Sequence, residues 1–274
     1  LIYDIEADVP EQTRENRYIL YKKDVIKNFI SYAVACIFGR YSLDEPGLVF
    51  AGAKIDFDRY TTFRPSRDGI VTLSDREYFD DDIVNRLADF VEKIYGSNKL
   101  EENLIFIASG LSKNFKFGDD PRSSIRSYFL REFYKDHCKK YSVSGSGKRP
   151  IYWLFDSGKE NGFKAFVYLH AINKNTCELI RRKYLQRQIR RYKNELQDLQ
   201  ALTAENLCVI SPSEQKRRQE KLQRQLLECK AYDEKLKSIC SAQIELDLDD
   251  GVLVNYQKLQ TSANGENLGI LALT

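Results

Sequence analysis

The chain has 274 residues, of which 42% are hydrophobic and 12% aromatic, and its formal net charge is +3. This composition predicts an ordered, soluble protein that buries one large apolar core or two smaller ones. No run of about 18 uncharged apolar residues occurs, and positions 1–10 carry three acidic residues, so we expect neither a membrane span nor a signal peptide.

The six cysteines and two histidines form no metal-site pattern. No Cys-x-x-Cys pair occurs, and His137 and His170 are far apart, so the spacing typical of zinc ligands is missing. Free thiols of this kind predict a cytoplasmic protein. Because the chain has no Met, not even at position 1, we expect it to be a fragment of a longer protein.

The positive charge is concentrated in one segment. Residues 174–242 contain 16 Lys and Arg against 9 Asp and Glu, a net charge of +7, which leaves −4 for the rest of the chain. Such asymmetry favours a polyanionic partner. A pair of highly charged, solvated helices gives a similar count, and this second interpretation stays open.

Hydrophobic periodicity predicts helices and one short strand early in the chain. Residues 22–38 place apolar side chains at intervals of three and four, and Gly39 ends the pattern, as expected for a buried amphipathic helix. Residues 69–73, with the sequence GIVTL, predict a strand.

Two polar motifs predict where further helices begin. Ser74 and Glu77 have capping-box spacing, in which the hydroxyl accepts a backbone N–H and the carboxylate bonds back to the cap. Asp120 followed by Pro121 predicts another start, because Pro in the first turn loses no needed donor. We therefore expect residues 1–141 to form a mainly helical domain.

The segment KRPIYWLFDSGKENGFKAFVYLH predicts an aromatic β-hairpin. In residues 151–155 and 163–170, successive side chains would point to opposite faces of a strand, and both faces are largely apolar. Helices must therefore cover both sides of this hairpin. Trp153 is best explained as a core residue. We group residues 148–173 with 246–260 as a small β region. Lys148 and Arg149, at the entrance of the hairpin, are candidate phosphate contacts.

Residues 174–242 predict a long antiparallel helical hairpin. Its first helix carries a heptad-like seam from Leu185 to Leu199, and its second carries one from Leu222 to Leu236. Capping-box spacing at Ser211 and Glu214 opens the second helix. Basic residues lie off the seam and are candidate DNA-backbone contacts; they are Lys183, Arg187, Arg190 and Arg191.

The search for catalytic motifs is negative. The stretch GSGKRP fails the phosphate-loop pattern, and LDLDDG lacks the later ligands of a calcium loop. The acidic run at 80–82 suits a helix start. His137 and Cys138 have no Asp or Asn partner nearby in sequence. We therefore predict no catalytic, cofactor-binding or metal-binding residue in this chain.

Several long blocks resemble one family of bacterial enzymes. The chain is similar to the C-terminal region of PglX-type adenine-specific DNA methyltransferases of the BREX phage-defence system, and related runs occur in restriction-modification enzymes. The blocks that carry the resemblance are SYAVACIFGRYSLDEPGL, EYFDDDIVNRLADFVEKIYG, LREFYKDHCKKY, the aromatic hairpin segment, and LDDGVLVNYQKLQ.

The resemblance implies a function for the parent protein and a narrower one for this chain. Such enzymes transfer a methyl group from S-adenosylmethionine to adenine N6, using N-P-P-[YFW] and F-x-G-x-G motifs, and neither motif occurs here. The chain would then be the part that binds double-stranded DNA and recognises the target. A protein-interaction module that docks other defence-system subunits is the alternative, and an enzyme of another type is a third reading.

The expected fold class is α+β and mostly helical. It combines a small sheet, with a central aromatic hairpin packed by helices, and a long antiparallel helical hairpin.

Overall fold

The structure is a computed structural model that describes residues 22–52, 54–143, 147–201, 211–242, 244, 246–262 and 264–272. Most of them are helical: α1 (Lys22–Ile37), α2 (Ile83–Tyr95), α3 (Leu100–Leu111), α4 (Pro121–Tyr128), α5 (Tyr134–Lys140), α6 (Thr176–Leu179), α7 (Gln186–Ala201), α8 (Pro212–Ala242) and α9 (Val252–Gln260). Short π-helical turns, Phe129–Phe133 and Ile180–Leu185, join α4 to α5 and α6 to α7. The strands are β1 (Ile70–Leu73), β2 (Ser142–Val143), β3 (Gly147–Lys148), β4 (Tyr152–Asp156) and β5 (Lys164–Tyr168). The mostly helical α+β class is confirmed.

The predicted aromatic hairpin forms the centre of a three-stranded antiparallel sheet with the order β1-β5-β4. Tyr152 pairs with Tyr168 at one end, and Asp156 pairs with Lys164 at the other. The C-terminal segment 267–272 extends the sheet along β4, where Phe155 bridges Leu271. Since β1 and β4 are both antiparallel to β5, they begin at the same end of the sheet.

Alternation along the strands divides the interior into two apolar clusters, one on each face of the sheet. Tyr152, Leu154 and Phe166 belong to the first cluster, which α1 to α5 cover. Trp153 and Phe155 belong to the second cluster, which the later helices cover. Trp153 is fully buried, so its prediction as a core residue is confirmed.

The helical hairpin forms as predicted, and it lies on the sheet. Gln219 of α8 donates to the Leu199 carbonyl near the end of α7. Gln186, at the start of α7, donates to Asp233 far along α8. The two helices are therefore antiparallel. Seam residues such as Ile189 share their cluster with Trp153. The predicted turn at 202–210 lies outside the described residues. The division into three domains stays a prediction.

The assignment of 246–260 to the β region is wrong in its secondary structure. Val252–Gln260 forms α9, and the Tyr256 ring packs edge-on against Trp153 with 6.0 Å between ring centres. The buried Gln260 side chain accepts the backbone N–H groups of Ile270 and Leu271 at 2.7 and 3.0 Å. The segment is therefore a helix that packs against the edge of the sheet and bonds to the segment beside β4.

Helix starts follow the local signals in two cases and depart from them in one. Asp120 caps α4, with Pro121 in the first turn, and Ser211 and Glu214 form the predicted capping box of α8. The start predicted at Ser74 is wrong. Instead, Asp82 accepts the N–H groups of Val84 and Asn85 at the start of α2, so one acid of the run 80–82 is a helix cap as expected.

The displaced start has a tertiary cause. Asp75 and Tyr78, which would lie in the first turn of a helix capped by Ser74, both bind the Arg218 guanidinium from α8. Phe79 enters the second apolar cluster. These contacts hold residues 75–79 in a non-helical conformation.

Candidate nucleic-acid interface

The four basic residues predicted as a stripe have different surroundings. Lys183, in the π-helical turn before α7, has its Nζ 2.6 Å from the Asp68 carboxylate. The Arg187 guanidinium lies over the Phe79 ring, 4.9 Å from its centre. These two cations are therefore already used inside the chain, by an ion pair and a cation–π contact.

Arg190 and Arg191 are the two exposed members of the stripe that have no ion-pair partner among the described residues. Both project from α7 away from the second cluster, and neither forms an ion pair with any residue in the described ranges. An exposed guanidinium without a carboxylate partner can form bidentate hydrogen bonds to a phosphate. The stripe thus reduces to two free arginines next to each other in sequence.

Asp68 is the residue that neutralises the start of the stripe. Its carboxylate accepts hydrogen bonds from Lys183 and from the Tyr184 hydroxyl, at 2.6 and 2.7 Å. Burial, followed by the bond to Asp68, raises the pKa of Tyr184, so this hydroxyl stays protonated and keeps donating. Asp68 precedes β1 and fixes the π-helical turn against that end of the sheet.

Lys148 and Arg149 lie at the entrance of β4, as the sequence predicts. Lys148 pairs with Ser142 in a short two-stranded ladder, and the Arg149 backbone N–H donates to the Tyr141 carbonyl at 2.9 Å. Both side chains are exposed, and neither has an ion pair within the described part of the chain. This pair is free to contact an anion.

A buried histidine holds that entrance in place. The Nε2 of His137 accepts the backbone N–H groups of Ile151 and Tyr152, each at 3.1 Å. Burial, together with the positive charges of Lys140 and Arg40, lowers the pKa of His137 to about 3. The imidazole is therefore neutral near pH 7 and acts as a hydrogen-bond acceptor, which is a structural role.

The topology brings the two basic groups to one end of the sheet. Lys148 and Arg149 precede β4, and Asp68, with its partner Lys183, precedes β1. Both strands start at this end and are separated by β5, so they lie about 10 Å apart. Arg190 and Arg191 follow further along the helix. The sequence could not show this proximity because β1 and β4 are about 80 residues apart.

Two further cations at this end were missed by the sequence reasoning. Lys54 and Arg67 are exposed and line a cleft beside His170. No motif marks them, and the only signal is that Arg67 lies in a Pro- and Gly-containing loop before a strand, a position where binding residues are common.

Groups that could carry nucleophilic or metal chemistry are not assembled in the described residues. The five cysteines that the structure describes are free, and burial raises the pKa of Cys36 and Cys177 to about 12, so these thiols are protonated. Within the same residues, no group of three His, Cys, Asp or Glu side chains is arranged to hold a metal ion. None of the described helices is long and apolar enough to span a bilayer.

Comparison with known proteins identifies two relatives. No family model matches the chain. The adenine-specific methyltransferase PglX of Lacticaseibacillus casei (strain Zhang) is 42% identical over 238 residues, which is 86% of this chain and 19% of that protein. The adenine-specific methyltransferase BrxX of Escherichia coli O9:H4 (strain HS) is 39% identical over 270 residues, 94% of this chain and 21% of that protein.

The resemblance to PglX-type methyltransferases is confirmed. It covers most of the chain. The chain spans about a fifth of the length of these curated relatives.

Proposed function

We propose that this chain is the DNA-contacting, target-recognition region of an adenine-specific DNA methyltransferase of a bacterial phage-defence or restriction-modification system. The observation that carries the proposal is the similarity over 86% of the chain to a protein named as an adenine-specific methyltransferase. Double-stranded DNA is the partner that this chemistry requires. The net charge of +7 in residues 174–242 supports it.

The methyl transfer itself belongs to another part of the parent protein. The sequence contains no adjacent pair of prolines and no F-x-G-x-G run, so the motifs expected for adenine binding and for S-adenosylmethionine have no counterpart here. We assign S-adenosylmethionine to the parent and no cofactor to this chain.

The DNA contacts are proposed for the basic side chains that the fold leaves free. Arg190 and Arg191 can follow a phosphate backbone along α7, and Lys148 and Arg149 can meet phosphate at the sheet end. Lys183 and Arg187 belong to the same surface with a smaller contribution, because Asp68 and Phe79 already engage them.

The test is the salt dependence of binding to a DNA duplex. Reversing Arg190 and Arg191 to Glu should weaken binding for all sequences alike and flatten the plot of log affinity against log salt by about 0.9 for each lost phosphate contact. Lys148→Glu with Arg149→Glu should do the same. Sequence preference should survive in both variants.

A matched control separates local contacts from net charge. Lys113→Glu with Lys116→Glu changes the charge by the same amount on an exposed loop between α3 and α4. This variant should keep the wild-type slope. Equal loss of affinity in all three variants would contradict contact at the named residues, and unchanged affinity in all three would contradict DNA binding by this surface.

The second candidate function is a dock for other defence-system subunits. It is favoured by the exposed apolar side chains Leu227 on α8 and Phe117 on the α3–α4 loop, which are 67% and fully exposed. If it is correct, the Arg190→Glu/Arg191→Glu variant will bind DNA as before but lose a partner subunit or phage resistance.

A further inference from the structure

A small cleft of about 230 Å³ lies between the loop before β1 and the π-helical turn before α7. The loop contributes residues 65–68, the turn contributes Lys183 and Tyr184, and Asp81 and Arg86 also line the cleft. We call it the Arg67–Lys183 cleft. Its volume is below the range of sites that bind drug-sized molecules, and it leaves room for a single phosphate group.

The loop side of the cleft is fixed by hydrogen bonds. The Ser66 N–H donates to the Ile37 carbonyl at 2.7 Å, and the Ser66 hydroxyl donates to the Ile70 carbonyl at 3.0 Å. The Ile70 N–H donates to the Asp68 carboxylate at 3.3 Å. The backbone that carries Arg67 and Asp68 is therefore held in place before any ligand arrives.

The charges of the Arg67–Lys183 cleft leave an excess of one cation. Its described lining residues include three basic side chains, Arg67, Arg86 and Lys183, and two carboxylates, Asp68 and Asp81. A phosphodiester carries a single negative charge, and it would balance this excess.

Two of the three cations are available to a ligand. The Arg86 guanidinium is used inside the chain, because it lies over the Phe63 ring, 4.6 Å from its centre. Arg67 is exposed and forms no ion pair with any residue in the described ranges. The Lys183 side chain is 53% exposed, and its ion pair with Asp68 needs only one of its three N–H donors. Arg67 and Lys183 can therefore contact one anion together.

Asp68 already occupies part of this anion site. One of its carboxylate oxygens accepts both the Lys183 ammonium, at 2.6 Å, and the Tyr184 hydroxyl, at 2.7 Å. A phosphate oxygen binds the same kinds of donor. The carboxylate therefore competes with an incoming phosphate for Lys183, and it also repels that phosphate as a like charge.

The cleft lies at the beginning of the basic row on α7. Lys183, Arg187 and Arg191 follow one another at intervals of four residues, so they lie on one side of the helix. Lys183 and Arg190 are seven residues apart, which is about 10 Å along the helix axis. Three successive phosphates of one DNA strand rise by about the same distance. A DNA backbone that contacts Arg190 and Arg191 can therefore continue into the cleft.

We propose that the Arg67–Lys183 cleft binds one backbone phosphate of a DNA duplex, and that Asp68 is a competing anion built into the site that weakens this contact. The inference deepens the proposed function and rests on it for the source of the phosphate. It gives two neighbouring residues opposite effects on DNA binding, since Arg67 attracts the phosphate and Asp68 opposes it.

Neutral variants of these two neighbours test the inference. Arg67→Gln should weaken duplex binding and flatten the plot of log affinity against log salt by about 0.9, the effect of one lost phosphate contact. Asp68→Asn should tighten binding roughly fivefold at low salt, because it removes a like charge about 4 Å from the phosphate. This gain should shrink as salt rises. Fluorescence anisotropy of a labelled duplex at several salt concentrations measures both effects. Misfolding would weaken binding, so it cannot produce the gain.

Two distant variants control for net charge. Lys113→Gln and Asp24→Asn make the same two charge changes at exposed positions. Asp24 lies in the first turn of α1, about 20 Å along that helix from Ile37, which binds the loop. Lys113 follows α3, whose Ser109 accepts a hydrogen bond from Lys22 at the same end of α1. Because charges are screened over about 8 Å at physiological salt, both control variants should bind the duplex like the wild type.

Two outcomes would overturn the inference. One is unchanged duplex affinity in both Arg67→Gln and Asp68→Asn. The other is saturable binding of inorganic phosphate that Arg67→Gln removes while the duplex salt slope stays the same, since the cleft would then bind free phosphate. If Arg190→Glu with Arg191→Glu flattens the slope but the cleft variants do not, the inference alone fails. If wild-type duplex binding shows no dependence on salt, the proposed function itself fails.

Discussion

The two faces of the sheet are covered by helices in different ways. On the face of Tyr152, the helices α1 to α5 are short, and the buried Arg126–Asp82 pair joins residues 44 positions apart within that helical half. On the face of Trp153, the long α8 reaches the loops of the sheet itself: Arg218 binds Asp75, 143 positions away. The buried ion pair of the first core thus stays within its helical half, whereas that of the second joins its long helix to the loop after β1. The first core is tied to the sheet by other bonds, such as that from the Tyr168 hydroxyl to the Phe50 carbonyl 118 positions away.

The polar contacts of α8 explain how a generic amphipathic helix acquires one position on the sheet. Glu228 accepts the Ser157 hydroxyl and the N–H groups of Glu160 and Gly162, at 2.6, 2.8 and 2.9 Å. An apolar seam alone tolerates sliding by one turn, but these directional bonds do not. In the second core, polar contacts therefore fix the position of α8 along the sheet in addition to stabilising the fold.

The largest effect is expected from a charge in the second core. Ile189 is 6% exposed, and Ile189→Asp should destabilise the fold by about 5 kcal/mol or more, because it removes apolar burial and places an unpaired carboxylate in an apolar seam. Urea unfolding followed by far-UV circular dichroism measures this free energy. Asn194→Asp, which adds the same residue at an exposed position of α7, should change it by less than about 0.5 kcal/mol.

The same experiment tests whether the two cores are coupled. Trp153, the single tryptophan, reports on the second core, whereas far-UV circular dichroism reports on helices of both. Since both clusters share the sheet, the two probes should give one midpoint. Separate midpoints would show that the cores unfold independently and would support the three predicted domains.

A smaller but still large effect is expected at the buried ion network. Arg218 is bonded to Asp75, Glu195 and Tyr78, and its side chain is 9% exposed. Arg218→Ala should cost about 3 kcal/mol, because Asp75 and Glu195 lose the cation that they share and each keeps one more exposed partner, Lys221 and Arg76 respectively. Its exposed neighbour is the matched control, and Arg217→Ala should change the free energy of unfolding by less than about 0.5 kcal/mol.

The pH dependence of stability sharpens that test. Burial would raise the pKa of Asp75 and of Glu195, but Arg218 and the other donors lower both pKa values overall. Their contribution is therefore complete above the ordinary values of 3.8 and 4.5 and is lost as the pH falls below them. Arg218→Ala should flatten this acid limb. A wild-type acid limb in the variant would contradict the role given to Arg218.

The smallest of the three effects is expected at the β4–β5 turn. Glu228→Ala should cost about 2 kcal/mol, because three donors of the turn lose a partly buried carboxylate. Glu220→Ala, on an exposed position of the same helix, serves as the control. Equal stability of the two variants would mean that the turn is held by the apolar seam alone.

The sequence by itself determined the elements whose signals extend over a few residues. Alternation in 151–155 placed Trp153 and Phe155 on one face of β4, and the capping box at Ser211 marked the start of α8. The family resemblance, carried by long ordered blocks, was also readable without coordinates. These signals work because side-chain periodicity and capping depend only on the local backbone.

Only the tertiary structure decided which basic residues are free. Lys183 and Arg190 belong to one stripe in the sequence, but Lys183 is neutralised by Asp68, which lies 115 positions away. The cleft of Lys54, Arg67 and His170 likewise joins three separate segments. The energies of charged and polar groups depend on the distance and burial of their partners, and neither quantity is encoded in sequence spacing once the partners come from different elements.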